Sequence, residues 1–159
     1  MKKTFLISGA GSGIGRAIAQ KPASEGHQCI LLGRNKANLE KILETLKNGK
    51  HLILTADIKS KESLAAAASQ LGNRAIDGLV ANSGIGGENY WGSGDRWQGI
   101  IDTNLAGTYN FVNTFLPNLA NTPGEKHILI TSSVLARLGV ANYSAYCASK
   151  AGLLGLMRS

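Results

Sequence analysis

Tyr146 and Lys150 stand four residues apart in the run Tyr146-Cys147-Ala148-Ser149-Lys150, a separation that puts two side chains on one face of a helix. A phenol alone holds its proton until about pH 10. A neighbouring ammonium favours the phenolate, so that together the two groups can release and recover a proton closer to neutrality. Reduction of a carbonyl by hydride needs such a donor at the oxygen. A core tyrosine beside a surface lysine gives the same spacing by chance. Tyr143 is a rival phenol, but its fourth neighbour is Cys147, which cannot do the work of an ammonium. Hydroxyls also cluster in Ile130-Thr131-Ser132-Ser133, where a serine can bond either a substrate oxygen or its own backbone.

A glycine-rich stretch, Ser8-Gly9-Ala10-Gly11-Ser12-Gly13-Ile14-Gly15, follows a short apolar run and precedes helical periodicity. In that context glycines bring main-chain N–H groups and a helix N-terminus within reach of a pyrophosphate; the alternative is a plain flexible turn. No Lys-Ser or Lys-Thr pair follows, which excludes a nucleoside-triphosphate P-loop. At the end of the next apolar run stands Gly33-Arg34-Asn35, with no carboxylate to accept from ribose hydroxyls. The Arg34 guanidinium suits a 2′-phosphate, so NADP(H) is expected in preference to NAD. An ordinary basic residue opening a helix is the other reading of Arg34.

These groups need elements to hold them. Strands are expected at Lys3–Ser8, Gln28–Leu32, His51–Thr55, Ile76–Ala81 and His127–Thr131, from continuous apolar or β-branched runs. Helices are expected after the glycine turn, over Leu39–Leu46 ending at Asn48-Gly49, from Ser60 to Leu71, from Trp97 through Leu116 until Pro117, and from Tyr143 onward. Pro22 falls inside the first helix and should kink it or end it early, at a cost of about 3 kcal/mol. Alternation of strands and helices, with strands apolar on both faces, predicts an α/β fold with a doubly wound, mostly parallel sheet of Rossmann-like form.

The spacing Gly9-x-x-x-Gly13-x-Gly15, preceded by Ser8, is similar to the signature turn of the short-chain dehydrogenase/reductase family, which commonly has threonine where Ser8 stands. Among its members the chain resembles the reductases of 3-oxoacyl groups on an acyl carrier. The resemblance implies that Ser8, Gly9, Gly11, Ser12, Gly13, Ile14 and Gly15 form the phosphate turn and that Asp57, with Ile58 beside it, borders the adenine; Asp57 can equally cap a helix. It implies that Asn82-Ser83-Gly84, similar to the family's Asn-Ala-Gly, lines the cofactor site. Ser133 lies thirteen residues before Tyr146, as in the family, and is therefore chosen over Ser132. By the same resemblance Ser133, Tyr146, Lys150 and Asn104 form the catalytic set, with Asn104 holding a water that links the lysine to solvent, and Lys150 also binds the cofactor ribose beside Tyr146. The expected reaction is reduction of a carbonyl, or oxidation of a secondary alcohol, with a small-molecule or acyl-carrier-bound substrate and a homodimer or homotetramer as the assembly.

Family members continue past the Tyr-Lys helix with two more strands, a substrate-covering segment and a Pro-Gly motif. Here the sequence stops at Ser159. The 159 residues are therefore expected to form one Rossmann-like domain, truncated after the fifth strand and the Tyr-Lys helix, either a fragment or a truncated gene product. A catalytically silent nucleotide-binding fragment or interaction module is the alternative function.

Composition excludes other classes. With 43% hydrophobic and 17% charged residues, the chain is globular rather than disordered. No apolar run approaches the ~20 residues that span a bilayer, and Lys2-Lys3 with the short Phe5-Leu6-Ile7 run is no signal segment, so no membrane association and a cytoplasmic location are expected. The net charge of +7 comes from basic residues spread along the chain without interleaved aromatics, which argues against nucleic acid and for an anionic cofactor or acidic carrier. Cys29 and Cys147 have neither CxxC nor metal-ligand spacing, so free thiols and no metal are expected.

Overall fold

The computed structural model describes residues 2–92 and 94–159. Five strands, β1 (Thr4–Ser8), β2 (Gln28–Gly33), β3 (Leu52–Thr55), β4 (Gly78–Ala81) and β5 (His127–Ile130), form one sheet in the order β3-β2-β1-β4-β5. Every pairing is parallel, with Ile7 opposite Leu31 on one side and Val80 on the other. The order reverses between β1 and β4, and at such a switch point the loops leaving the strand ends diverge and open a crevice.

Each strand presents alternate residues to opposite faces. Leu6, Ile30, Leu32 and Leu79 pack with Leu64 of α3 (Lys61–Leu71) and with Phe111 and Phe115 of α5 (Gly107–Ala120). Ile7, Leu31 and Val80 face the other way, onto Ala19 and Ala23 of α1 (Gly13–Ser24) and Leu39 and Ile42 of α2 (Lys36–Thr45). The result is the expected doubly wound α/β fold with a core on each side of the sheet.

Four elements depart from the periodicity. Helix α1 continues through Pro22 to Ser24, and the Pro22 carbonyl accepts from the N–H groups of Glu25 and His27 as the chain turns. Because Pro22 sits in the last turn, it deletes one bond without breaking the helix. Helix α2 ends at Thr45 rather than Asn48-Gly49, since Leu46 is already extended and Asn48 has φ +64°. Strand β4 begins at Gly78, the N–H of Ile76 bonding outside the sheet to the Asn118 carbonyl.

The largest departure is in the long helix. It comprises α4 (Trp97–Ile101), a π-helical turn at Asp102–Ala106 and then α5, which runs through Pro117 to Ala120. Burial of Phe111, Phe115 and Leu119 carries α5 past the proline. Helix α6 (Ser144–Arg158) lies against α4 and the π turn, and a short 3₁₀ turn at Val134–Ala136 links β5 to it.

Candidate active site

A cavity of about 470 Å³ opens where the carboxyl ends of all five strands meet. Its walls are the turn from Gly9 to Ile14 after β1, Gly33-Arg34-Asn35 after β2, Ala56-Asp57-Ile58 after β3, and the segment from Asn82 to Gly86 after β4. Thr131 and Ser132 after β5, Thr103 of the π turn and Tyr146 and Lys150 of α6 complete it.

The glycine turn is shaped by the protein itself as much as by any ligand. Gly9 has φ +65°, and a Cβ there would lie 2.9 Å from the Ser83 Cα. A Cβ on Gly15 would lie 2.1 Å from the Gly9 carbonyl oxygen. Gly15 does not line the cavity; it lets α1 start close under the turn. Ser8 is likewise buried below the cavity, where its Oγ accepts from the N–H groups of Asn82 and Ser83, each at 3.1 Å, and fixes β4's exit against β1's. Ser12 precedes α1 and makes no side-chain bond to the helix, and no acidic residue occupies its first turn. Gly13 and Ile14, the first residues of α1, line the cavity, and the uncapped N–H groups of a helix start suit an anion.

Further along the wall, Arg34 is exposed, and among the described residues no carboxylate pairs with it. Asn35 accepts from the Asn38 N–H and caps α2, leaving Arg34 outside the helix. Asp57 is not the cap of α3; Ser60 is. One Asp57 oxygen accepts from the Lys59 N–H at 2.9 Å, and its own N–H donates to Ser63 Oγ.

At the opposite end, Lys150 is buried, and its Nζ donates to the Thr131 carbonyl at 2.8 Å while standing 5.7 Å from the centre of the Tyr146 ring. Burial holds its ammonium below the ordinary lysine value of 10.5. The expected face is formed: both side chains look into one cavity. The two serines divide. Ser132 lines the cavity but donates its hydroxyl proton to the Lys150 carbonyl at 3.0 Å. Ser133, just outside the lining, accepts from the Leu135 N–H at 3.2 Å and begins the 3₁₀ turn, which leaves its proton without an acceptor among the described residues.

Asn104 is fully buried in the π turn and does not reach the cavity. Its Oδ1 accepts from the Ile85 N–H at 2.8 Å, and its Nδ2 donates to the Ile85 carbonyl and to Ser149 Oγ. It thus clamps the segment after β4 to the helix that carries Tyr146 and Lys150. Sequence spacing gave no hint of this clamp, or of Thr131 as the lysine's acceptor.

Residues 3–159 match the family model for short chain dehydrogenase. The chain belongs to that family. Among its relatives in the short-chain dehydrogenase family, an NADPH-dependent pterin aldehyde reductase of Arabidopsis thaliana is 34% identical over 99% of this chain and 67% of its own. A 3-oxoacyl-(acyl-carrier-protein) reductase of Staphylococcus epidermidis is 30% identical over 100% of this chain and 68% of its own. A short chain dehydrogenase/reductase family protein of known structure superposes with a TM-score of 0.88 at 30% identity, covering 98% of this chain and 66% of its own. An actinorhodin polyketide ketoreductase crystallised with NADPH gives 0.83 at 25% identity over 98% and 62%. The chain thus spans about two thirds of the length of the relatives it matches.

The residues present fit the nicotinamide dinucleotide of such reductases: a helix start without side-chain cap or acidic residue at Ser12–Ile14, a cation at Arg34, and one cavity lined by both and by Tyr146. Among the described residues no helix is long and apolar enough to cross a membrane, and no group of three or more His, Cys, Asp or Glu side chains is placed to hold a metal ion.

Proposed function

We infer that this short-chain dehydrogenase is an NADP(H)-dependent reductase of carbonyl groups, or in reverse an oxidant of secondary alcohols. The observation that carries the reading is the sharing of one cavity by the Tyr146-Lys150 pair, the glycine turn and Arg34. The bound nicotinamide supplies or takes the hydride. Tyr146 donates its phenolic proton to the substrate oxygen, and the nearby Lys150 ammonium stabilises the phenolate left behind. Ser133 directs its unused proton to the same oxygen and orients the carbonyl, a task Ser132 cannot share because its proton is bound to the Lys150 carbonyl. Asn104 keeps the wall after β4 and α6 in register. Gly9 to Ile14 would hold the pyrophosphate, Asp57 the adenine amino group and Arg34 the 2′-phosphate, with Ile58, Asn82, Ser83 and Gly84 lining the rest of the cofactor site.

Titration of the protein with NADPH and with NADH, followed by nicotinamide fluorescence, tests the cofactor half. NADPH should bind at least ~10-fold more tightly, and Arg34→Ala should cost about 1.5–3 kcal/mol, roughly 10–150-fold, for NADPH alone. Equal losses for both nucleotides would remove Arg34 from the 2′-phosphate. Binding of NADPH with no turnover of any carbonyl would favour the silent nucleotide-binding reading. For the substrate, the basic net charge and the 3-oxoacyl relative support an acyl-carrier thioester, whereas the pterin relative supports a free aldehyde. Faster turnover of a 3-oxoacyl-carrier thioester than of ethyl acetoacetate supports the carrier; the reverse order removes it.

A further inference from the structure

Tyr146 occupies the first turn of α6, where a helix frays unless its leading N–H groups find partners. The residue before the helix, Tyr143, supplies no side-chain cap. The cap comes instead from a residue more than fifty positions earlier. Asn89 is 3% exposed, and its Oδ1 accepts from the Ala145 N–H at 3.0 Å, while its Nδ2 donates to Ser144 Oγ at 3.0 Å and to Asp95 Oδ1 at 3.2 Å. Its own N–H donates to the Asn142 carbonyl at 2.7 Å. Asp95 Oδ1 in turn accepts from the N–H of Trp97, the first residue of α4. One buried amide therefore joins the starts of two helices, that of α6, which carries Tyr146, and that of α4, which leads into the Asn104 turn.

We propose that Asn89 is a positioning residue that holds the Tyr146 phenol in the cavity by capping α6 from across the chain and tying it, through Asp95, to α4. The proposal rests on the reading of Tyr146 as proton donor. Its effect falls on Tyr146 rather than on Lys150, which stands a turn further along α6 and is anchored separately to the Thr131 carbonyl. The amide oxygen accepts from the Ala145 N–H and, at 3.3 Å, from the Ser144 hydroxyl, while the Nδ2 donor to Asp95 is the bond that no carboxylate can make. An aspartate would keep the acceptor and set a second carboxylate against Asp95.

The test is Asn89→Asp, alone and with Asp95→Asn. Three quantities are read: kcat for NADPH oxidation with ethyl acetoacetate as probe, the NADPH Kd by fluorescence, and hydrogen exchange of the Ala145 amide. Asn89→Asp should lower kcat and speed Ala145 exchange, each about tenfold, with the NADPH Kd changed less than about twofold. The double variant, freed of the facing carboxylates, should bring kcat and exchange back to within about threefold of wild type. Wild-type kcat and exchange in Asn89→Asp would overturn the proposal, as would a parallel loss of NADPH affinity, a double variant no better than the single, or failure of both variants to fold. Absence of turnover in the wild-type protein would count against the Tyr146 reading alone, and the Ala145 exchange rates would then decide for or against the cap.

Discussion

At the scale of single residues, the site depends on who already holds each proton. Spacing in the sequence pairs Tyr146 with Lys150, and the family resemblance picks Ser133 over Ser132 by its distance from Tyr146, but the physical difference between the two serines, the hydrogen bond that Ser132 donates to the Lys150 carbonyl, is not written in the spacing. Lys150 carries a consequence for stability. Its ammonium is buried, so its folded value lies below the ordinary 10.5. Below the folded value the charged group penalises the fold; between that value and 10.5 the unfolded chain binds more protons than the folded one, and stability rises with pH. The stability of the wild-type protein relative to Lys150→Met should therefore climb as pH rises through this window and level off above 10.5. Removing the bond to Thr131 adds a constant offset and does not disturb the slope. Chemical denaturation across that range measures it, and a pH-independent difference would contradict the burial argument.

At the scale of elements, the parallel strands and their covering helices are legible because each apolar run has the length and flanking turns of its type, as Gln28–Gly33 shows. The breaks are not. Nothing in Asp102-Thr103-Asn104-Leu105-Ala106 spells a π turn rather than an α turn, since the shift in hydrogen bonding is settled by what Asn104 grips across the fold, namely Ile85 and Ser149. For the same reason Asn89 is silent in the sequence: its partners lie at Asp95, Ser144 and Ala145. Gly15 was legible as a member of a motif, but its reason is steric and internal. Gly15→Ala would press a Cβ against the Gly9 carbonyl, 2.1 Å away before relaxation. It should destabilise the fold by about 1–3 kcal/mol, roughly 3–10 °C in Tm, and weaken NADPH binding by displacing the turn. A thermal melt and a fluorescence titration measure the two effects, and wild-type values in both would show that the close approach is readily relieved.

At the scale of the whole molecule, the strand order places β5 at one edge of the sheet, with Ile128 and Leu129 exposed at 40% and 51%. An apolar edge of unpaired backbone groups invites pairing with another chain. A polypeptide of these 159 residues should therefore self-associate with rising concentration through this edge, and Leu129→Lys should shift its sedimentation toward smaller species while leaving the NADPH Kd unchanged. Identical profiles for the two proteins would place any assembly elsewhere. Five strand ends deliver one cavity with the glycine turn at one side and a phenol with its ammonium at the other. The most direct test replaces that phenol. NADPH oxidation with ethyl acetoacetate and with a 3-oxoacyl-carrier thioester should fall at least ~100-fold in Tyr146→Phe, with the NADPH Kd within about twofold of wild type. Full turnover in Tyr146→Phe would contradict the assignment of Tyr146 as the proton donor and, with it, the account of this cavity as a carbonyl-reducing site.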